Sequence, residues 1–245
     1  MGGAKLLIVE DDERARTALR LALEDEGYDV DESRGVEDAL RALARRPPDI
    51  MMMDLMLSGV DGVGCIRAVR RAHDLPIIVL SAFSESHDVV ASLEAGADDY
   101  VSKPFVVKEV TARLRALRRR TRMRCRSRGV RDVVLEADPR EPLVLSPASA
   151  TVRRGDRDLY LTLTEYRLLC ALASMPGRVL SRRALLERVW DPGFLGDDRI
   201  IDVHIRRLRT KIERDPAQPR AVVTVRGFGY RLDIRARPDD RTHHG

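Results

Sequence analysis

Cysteine is nearly absent from this chain of 245 residues, which holds three: Cys65, Cys125 and Cys170. An odd, unclustered set forms neither a disulfide framework nor a zinc site. It reads as reduced thiols in a cytoplasm. Long apolar runs are missing too. None approaches the ~20 residues that a membrane-spanning helix needs, so no membrane is expected among the partners. Met1-Gly2-Gly3-Ala4-Lys5 passes directly into a short strand and lacks the pattern of a secretory signal. Lysine is scarce, at four positions (Lys5, Lys103, Lys108 and Lys211), although Lys and Arg together number 44. A single arginine therefore says little here, and the Lys103-Pro104 pair stands out.

Charge is abundant and unevenly placed. Residues 1–120 hold 18 Lys/Arg and 22 Asp/Glu, net −4, and residues 121–245 hold 26 and 17, net +9. An acidic half joined to a basic half suggests a control domain followed by a polyanion binder. The length suits one large or two ordinary domains.

The first half alternates short apolar runs with helical periodicity. Lys5–Val9, Tyr28–Glu32, Ile50–Asp54, Pro76–Ser81 and Asp99–Ser102 read as strands. The stretches between and after them carry apolar residues at helical spacing. Five such alternations favour a parallel, doubly wound sheet with helices on both faces. Polar residues stand at the strand ends: Glu10, Asp11 and Asp12, then Asp54, Ser81 and Lys103. In a parallel sheet these ends share one edge, so the side chains can converge. Clustered carboxylates attract a hard cation such as Mg²⁺. A carboxylate beside that ion can attack a phosphoryl group and become an acyl phosphate. A hydroxyl and an ammonium then suit the added oxygens. Each residue alone also has an ordinary reading, as cap, turn or surface charge; their joint placement at successive strand ends does not.

Glu10-Asp11, Asp54, Ser81-Ala82, Lys103-Pro104 and Gly96-Ala97-Asp98-Asp99-Tyr100 together resemble the receiver domain of two-component response regulators. The resemblance implies a flavodoxin-like sheet and phosphoryl transfer from a sensor histidine kinase to Asp54. It implies that Asp11 and Asp54 bind Mg²⁺ directly, with the Met56 backbone carbonyl, and that Glu10 acts through water. Ser81 and Tyr100 become the switch pair, and Lys103 the phosphoryl contact. The sequence departs from the family at Ser58, Val89 and Ser92. Val89 stands where a basic residue pairs across a dimer with an acid, here Glu109. The remaining expected dimer pairs are Asp98 or Asp99 with Arg113 and Arg120.

A basic run, Arg118 to Gly129, closes the first half. Dense like charge resists packing, and residues 121–132 read as a flexible linker between a receiver at 1–120 and a second domain at 133–237. Short β-type runs from Val133 to Leu161 suggest a small antiparallel sheet, with Arg154-Gly155-Asp156 as a hairpin turn. Two helices follow, with Thr164 and Ser181 as the expected caps. A third opens at Asp198. Ile201, Ile205, Leu208 and Ile212 align on one face of it, and Arg199, Val203, Arg206, Arg207, Thr210 and Arg214 lie opposite. His204 and Arg209 sit at the edges. Val222–Leu232 then reads as a hairpin with Arg226 at its tip. A groove helix followed by a basic hairpin is a winged helix.

Leu163-Thr164-Glu165-Tyr166, Ile201-Asp202-Val203-His204-Ile205-Arg206-Arg207-Leu208-Arg209 and Thr224-Val225-Arg226-Gly227-Phe228-Gly229-Tyr230-Arg231 resemble the DNA-binding domain of the OmpR/PhoB subfamily. The resemblance implies base-edge contacts from Arg207 and Arg209 and a minor-groove contact from Arg226. It implies phosphate or positioning contacts from Trp190, Arg199, His204, Arg206 and Tyr230, and Val203 and Thr210 on the same helix complete the expected DNA contacts. Residues 238–245, with His243-His244, read as a disordered tail rather than a metal site.

The expectation is a phosphorylation-controlled transcription regulator, a homodimer when active, on double-stranded DNA carrying direct repeats. RNA polymerase is a further partner that the family reading allows. A phosphorylation-independent factor with a vestigial receiver is the alternative, although every pocket residue is kept. A phosphohydrolase of the haloacid dehalogenase type would need an Asp where Met56 stands. Gly59, Gly62 and Gly64 have the wrong spacing for a dinucleotide fingerprint.

Overall fold

The computed structural model describes residues 3–57, 60–82, 86–123, 132–136, 138–190 and 198–234. The chain forms two compact units, Met1–Arg119 and Arg120–Gly245. In the first, β1 (Lys5–Val9), α1 (Glu13–Asp25), β2 (Asp29–Ser33), α2 (Val36–Arg45) and β3 (Ile50–Asp54) are followed by a two-rung hairpin of β4 (Met56–Leu57) and β5 (Val60–Asp61). Then come α3 (Gly62–Arg70), β6 (Ile77–Ser81), α4 (Ser86–Ala95), β7 (Asp99–Ser102) and α5 (Val107–Met123). The five-stranded sheet is wholly parallel, in the order β2-β1-β3-β6-β7. Leu6–Val9, Ile50–Met53 and Ile77–Leu80 are buried on both faces, as their uninterrupted apolar runs require. Each such side chain contributes about 1.5–3 kcal/mol on burial, which fixes β1, β3 and β6 as the centre. At the edge, Asp29, Asp31 and Glu32 of β2 face solvent, and charge there discourages pairing with another sheet.

The strand order reverses between β1 and β3, which opens a crevice at their carboxyl ends. Glu10 follows β1 and Asp54 ends β3, so sheet topology alone brings them to that crevice. The β4–β5 hairpin carries the chain from Asp54 into α3. Asp61 caps α3 by accepting the Val63 N–H. A side chain at Gly62 would strike the Leu55 carbonyl oxygen, so this tight return after the aspartate needs glycine.

The second unit begins with β8 (Val133–Glu136), β9 (Leu143–Ser146), β10 (Thr151–Arg154) and β11 (Arg157–Leu159), an antiparallel sheet in the order β11-β10-β9-β8. Then follow α6 (Leu163–Ala173), β12 (Val179–Leu180), α7 (Arg182–Val189), α8 (Arg199–Ile212) and the hairpin β13 (Val222–Val225) to β14 (Gly229–Leu232), with β12 added outside β14. The architecture is a winged helix. Thr162, not Thr164, caps α6. Its side chain takes the Glu165 N–H while the Glu165 carboxylate takes the Thr162 N–H, a complete capping box. Ser181 caps α7 as expected. Gly229 has φ of 142° and lies against the Leu180 carbonyl, so β12 and β14 meet where no side chain fits.

Helix α5 runs through Met123, three residues into the stretch read as linker. Residues 124–131, residues 191–197 and the stretch read as a tail at 238–245 lie outside the described residues.

Candidate functional site

The crevice gathers the strand-end residues as their positions require. The Lys103 ammonium lies 2.5 Å from Asp54 Oδ2 and 3.3 Å from Glu10 Oε2. Asp54 Oδ1 accepts the Met56 N–H at 3.0 Å, which orients the carboxylate. Glu10, Asp54 and Ser81 are buried, while Asp11 and Tyr100 are half-buried. Ser81 ends β6 in register with Ser102, and its carbonyl accepts the Lys103 N–H at 2.6 Å. The Lys103-Pro104 peptide is cis.

Electrostatics follow from this crowding. Burial pushes the Glu10 carboxyl above its ordinary range, and the charge of Asp54 pushes it further. Burial pulls the Lys103 ammonium down, but its hydrogen bond to Asp54 and the two carboxylate charges outweigh that and hold it above its ordinary value. Asp54 is therefore paired with a firmly protonated cation. Arg16 belongs to this site although no motif or spacing marks it. Its buried guanidinium donates to the carbonyls of Glu10 and Asp11 at 2.9 and 3.2 Å, fixing the turn that carries both acids. Nothing distinguishes Arg16 from the many surface arginines except that its helix turn faces β1.

In the second unit, α8 packs against α6 and α7. Ile201, Ile205, Leu208 and Ile212 form its fully buried stripe, and Ile200, Val203 and His204 are buried as well. His204 is 0% exposed and lies 5.5 Å, ring to ring, from buried Trp190. These placements correct three expected DNA contacts. Val203, His204 and Trp190 belong to the interior, because two neighbouring helices cover a wider arc of α8 than its strongest apolar line. Arg207 is also off the open face. Its guanidinium pairs with the Glu165 carboxylate at 2.8 Å, and its side chain is 12% exposed. Arg199, Arg206 and Thr210 are exposed, and so is Arg226 at the wing tip beside exposed Phe228.

Arg209 and Tyr230 face inward to join the helix to the wing. Arg209 donates to the Val222 carbonyl through Nε and Nη2, at 2.9 and 2.7 Å, and through Nη2 to Thr224 Oγ1 at 2.8 Å. The Tyr230 hydroxyl donates to Asp202 Oδ1 at 2.6 Å, and Arg182 Nε donates to the same oxygen at 2.7 Å. The Arg182 and Arg209 guanidinium groups lie over the Tyr230 ring, 5.3 and 5.5 Å from its centre. Burial, then the bond to Asp202, pushes the Tyr230 phenol up to about 12 from an ordinary 10.0. A raised value favours the protonated phenol in the folded state. Its stabilisation is complete below the unfolded value and disappears as pH rises through about 12. Comparing phenolate absorbance of wild type and Tyr230→Phe should isolate one group titrating near 12; a component near 10 would contradict the buried bond.

Residues 6–115 match the response regulator receiver domain, and residues 156–232 match the C-terminal domain of transcriptional regulatory proteins. Transcriptional regulatory protein AfsQ1 of Streptomyces coelicolor is 44% identical over 228 residues, which cover 93% of this chain and 97% of that protein. The chain is a two-component response regulator of the OmpR/PhoB family. The response regulator is also 41% identical over 231 residues to KdpE of Escherichia coli, covering 93% and 98% of the two chains. Among solved structures, a mutant of RitR superposes with a TM-score of 0.71 at 28% identity, over 94% of this chain and 99% of that one. Phosphorylation-dependent regulation of transcription is the activity these domains share. Among its described residues, no helix is long and apolar enough to cross a membrane.

Receiver domains use Mg²⁺ in phosphorylation. Among the described residues of this response regulator, no three Asp, Glu, His or Cys side chains are gathered as a metal cage. Mg²⁺ asks for less: one or two carboxylates, with waters and phosphate oxygens completing the shell. Buried Glu10 and Asp54 facing one ammonium, with Asp11 beside them in sequence, fit that requirement.

The expected dimer contacts of the response regulator need correction. Asp98 is 0% exposed and takes Arg70 Nη2 at 2.6 Å and the Ile77 N–H at 3.0 Å. It cannot present a charge to a partner. Arg113 already pairs within its own chain, with buried Asp99 at 3.3 Å and with Glu109 at 2.8 Å. Val89 is buried, and the nearby Ser92 hydroxyl donates to its carbonyl at 2.8 Å. The side chain of Arg120 lies outside the described residues.

Proposed function

We propose that a sensor histidine kinase transfers a phosphoryl group to Asp54, and that the acyl phosphate promotes homodimerisation and binding to direct repeats in double-stranded DNA. The observation that carries this reading is the contact of Lys103 with both Asp54 and Glu10 at the strand-end crevice. Asp54 Oδ2 is the attacking atom. Lys103 stands where it can transfer its contact to an added phosphoryl oxygen. Ser81 and Tyr100 supply the readout on the neighbouring strands. Asp11 and Asp54, with the Met56 carbonyl, would hold Mg²⁺, and Glu10 would act through water. Bound there, the ion offsets the negative charge of the phosphoryl oxygens. The acyl phosphate is a self-modification rather than a turnover step, and its hydrolysis resets the site.

On DNA, Arg199, Arg206 and Thr210 line the open side of α8, and Arg226 reaches the minor groove. Arg207 reads a base only after leaving Glu165. Arg209 and Tyr230 brace the wing. The protein works in the cytoplasm, where RNA polymerase is a further partner. Dimerisation uses the face of α4, β7 and α5 without Asp98, which is committed to Arg70. Pairing two DNA-binding domains raises their effective concentration at a two-half-site operator.

Anisotropy with a duplex selected by the protein from a random pool tests the reading. Acetyl phosphate with Mg²⁺ should tighten binding on the order of 10²-fold. Equal affinity with and without the donor would favour a vestigial receiver instead.

A further inference from the structure

Glu165 occupies the third position of α6, and its side chain is 0% exposed. Besides the Thr162 N–H at 2.8 Å, it meets two cations from α8. Arg207 Nη2 lies 2.8 Å from Oε1, and Lys211 Nζ lies 2.6 Å from Oε2. Arg207 and Lys211 are one helical turn apart, so they fall on one stripe of α8. A single carboxylate needs a single counter-charge. Lys211, its side chain 33% exposed, adds a second cation without a second anion to match it.

We propose that Lys211 is the counter-ion that remains on Glu165 when Arg207 leaves it for a base edge. The inference rests on reading α8 as the groove helix. Without Lys211, release of Arg207 would strand a buried carboxylate, and Arg207 would stay where it is. With Lys211, the ammonium and the Thr162 N–H still hold Oε2, and the carboxylate keeps a counter-charge although Oε1 loses its cation. The cation that leaves is the one with a planar fork suited to a guanine edge, and the one that remains is a point charge. Lys211 is thus a positioning residue that acts through Glu165 and need not touch DNA.

The test uses full-length phosphorylated protein, the selected duplex and a shuffled duplex of equal length. Lys211→Met should weaken binding to the selected duplex roughly tenfold or more, with little change on the shuffled one. Lys211→Arg should restore affinity. Glu165→Gln keeps the capping box but removes the buried charge, so adding Lys211→Met to it should cost nothing further. If Lys211→Met alone does not fold, the comparison of Glu165→Gln with the double variant decides: equal affinities support the proposal and a further loss overturns it. A direct phosphate contact would instead weaken both duplexes and lower the salt slope by about one. That result, or no loss at all, overturns the proposal. Arg207→Ala separates the two readings. An equal loss on both duplexes removes the base contact, and the proposal with it. A selective loss there, with none in Lys211→Met, overturns the role of Lys211 alone.

Discussion

Asp54→Asn is expected to take up no phosphoryl group from acetyl phosphate and Mg²⁺, where wild type gains one by intact-protein mass. The change is nearly isosteric. The remaining side-chain oxygen can still accept the Met56 N–H that Asp54 Oδ1 accepts at 3.0 Å, so the turn into the β4–β5 hairpin stays intact. What goes is the nucleophile: an amide nitrogen has given its lone pair to the carbonyl, and the amide bears no charge to attack phosphorus. Glu10 remains close by, 3.3 Å from Lys103, and serves as an internal control. If a neighbouring acid were the acceptor, labelling would persist. Full labelling of the variant would sink the assignment. The DNA-affinity gain on phosphorylation should vanish with the label, since the two are one event read at different ends of the chain.

The second large effect concerns stability. Asp98→Ala is expected to destabilise the first unit by about 3–5 kcal/mol, as removal of one partner from a buried ion pair does. Arg70 is 10% exposed and Asp98 is fully buried. The guanidinium also donates to the carbonyls of His73, Leu75 and Gly96, at 3.2, 2.5 and 2.9 Å. Asp98 thus holds one arginine that ties the end of α3 to the entrances of β6 and β7. Without the carboxylate, Arg70 is left charged and short of a counter-ion, and the Ile77 N–H loses its acceptor. Urea unfolding followed in the full chain should show an early transition for the first unit and an unchanged one for the second. A loss below about 1 kcal/mol would return Asp98 to the surface role the sequence suggested, and a defect confined to dimerisation would do so more directly.

Why the sequence led to the surface role is instructive. Asp98 and Asp99 are adjacent and look alike, yet one precedes β7 and reaches Arg70 while the other opens β7 and reaches Arg113. Alternation on a strand separates them, and nothing in a charge pattern says which distant arginine waits on each side. The parallel sheet was more legible. Leu6–Val9, Ile50–Met53 and Ile77–Leu80 are apolar without interruption, and only strands covered on both faces read that way. The polar residues directly after them had to share an edge, so Glu10, Asp54 and Ser81 followed from topology, and Lys103 joins them at the end of the neighbouring β7. The binding helix was half legible. Its period gave Ile201, Ile205, Leu208 and Ile212, but a helix pressed between α6 and α7 buries more than one line, and Val203 and His204 were lost to the interior. Arg207 looked outward on the wheel because its true partner, Glu165, lies on another helix.

The brace between α8 and the wing has a consequence for how operators are chosen. Arg209 ties the helix to β13 and Thr224, and Tyr230 ties β14 to Asp202. On the proposed DNA contacts, the span from Arg206 to Arg226 is therefore set before any duplex arrives, like the gap of a caliper. A site whose grooves differ from that span must itself bend or narrow to be gripped. The elastic cost then falls on base pairs that the protein never touches, and their stiffness becomes part of the recognised sequence.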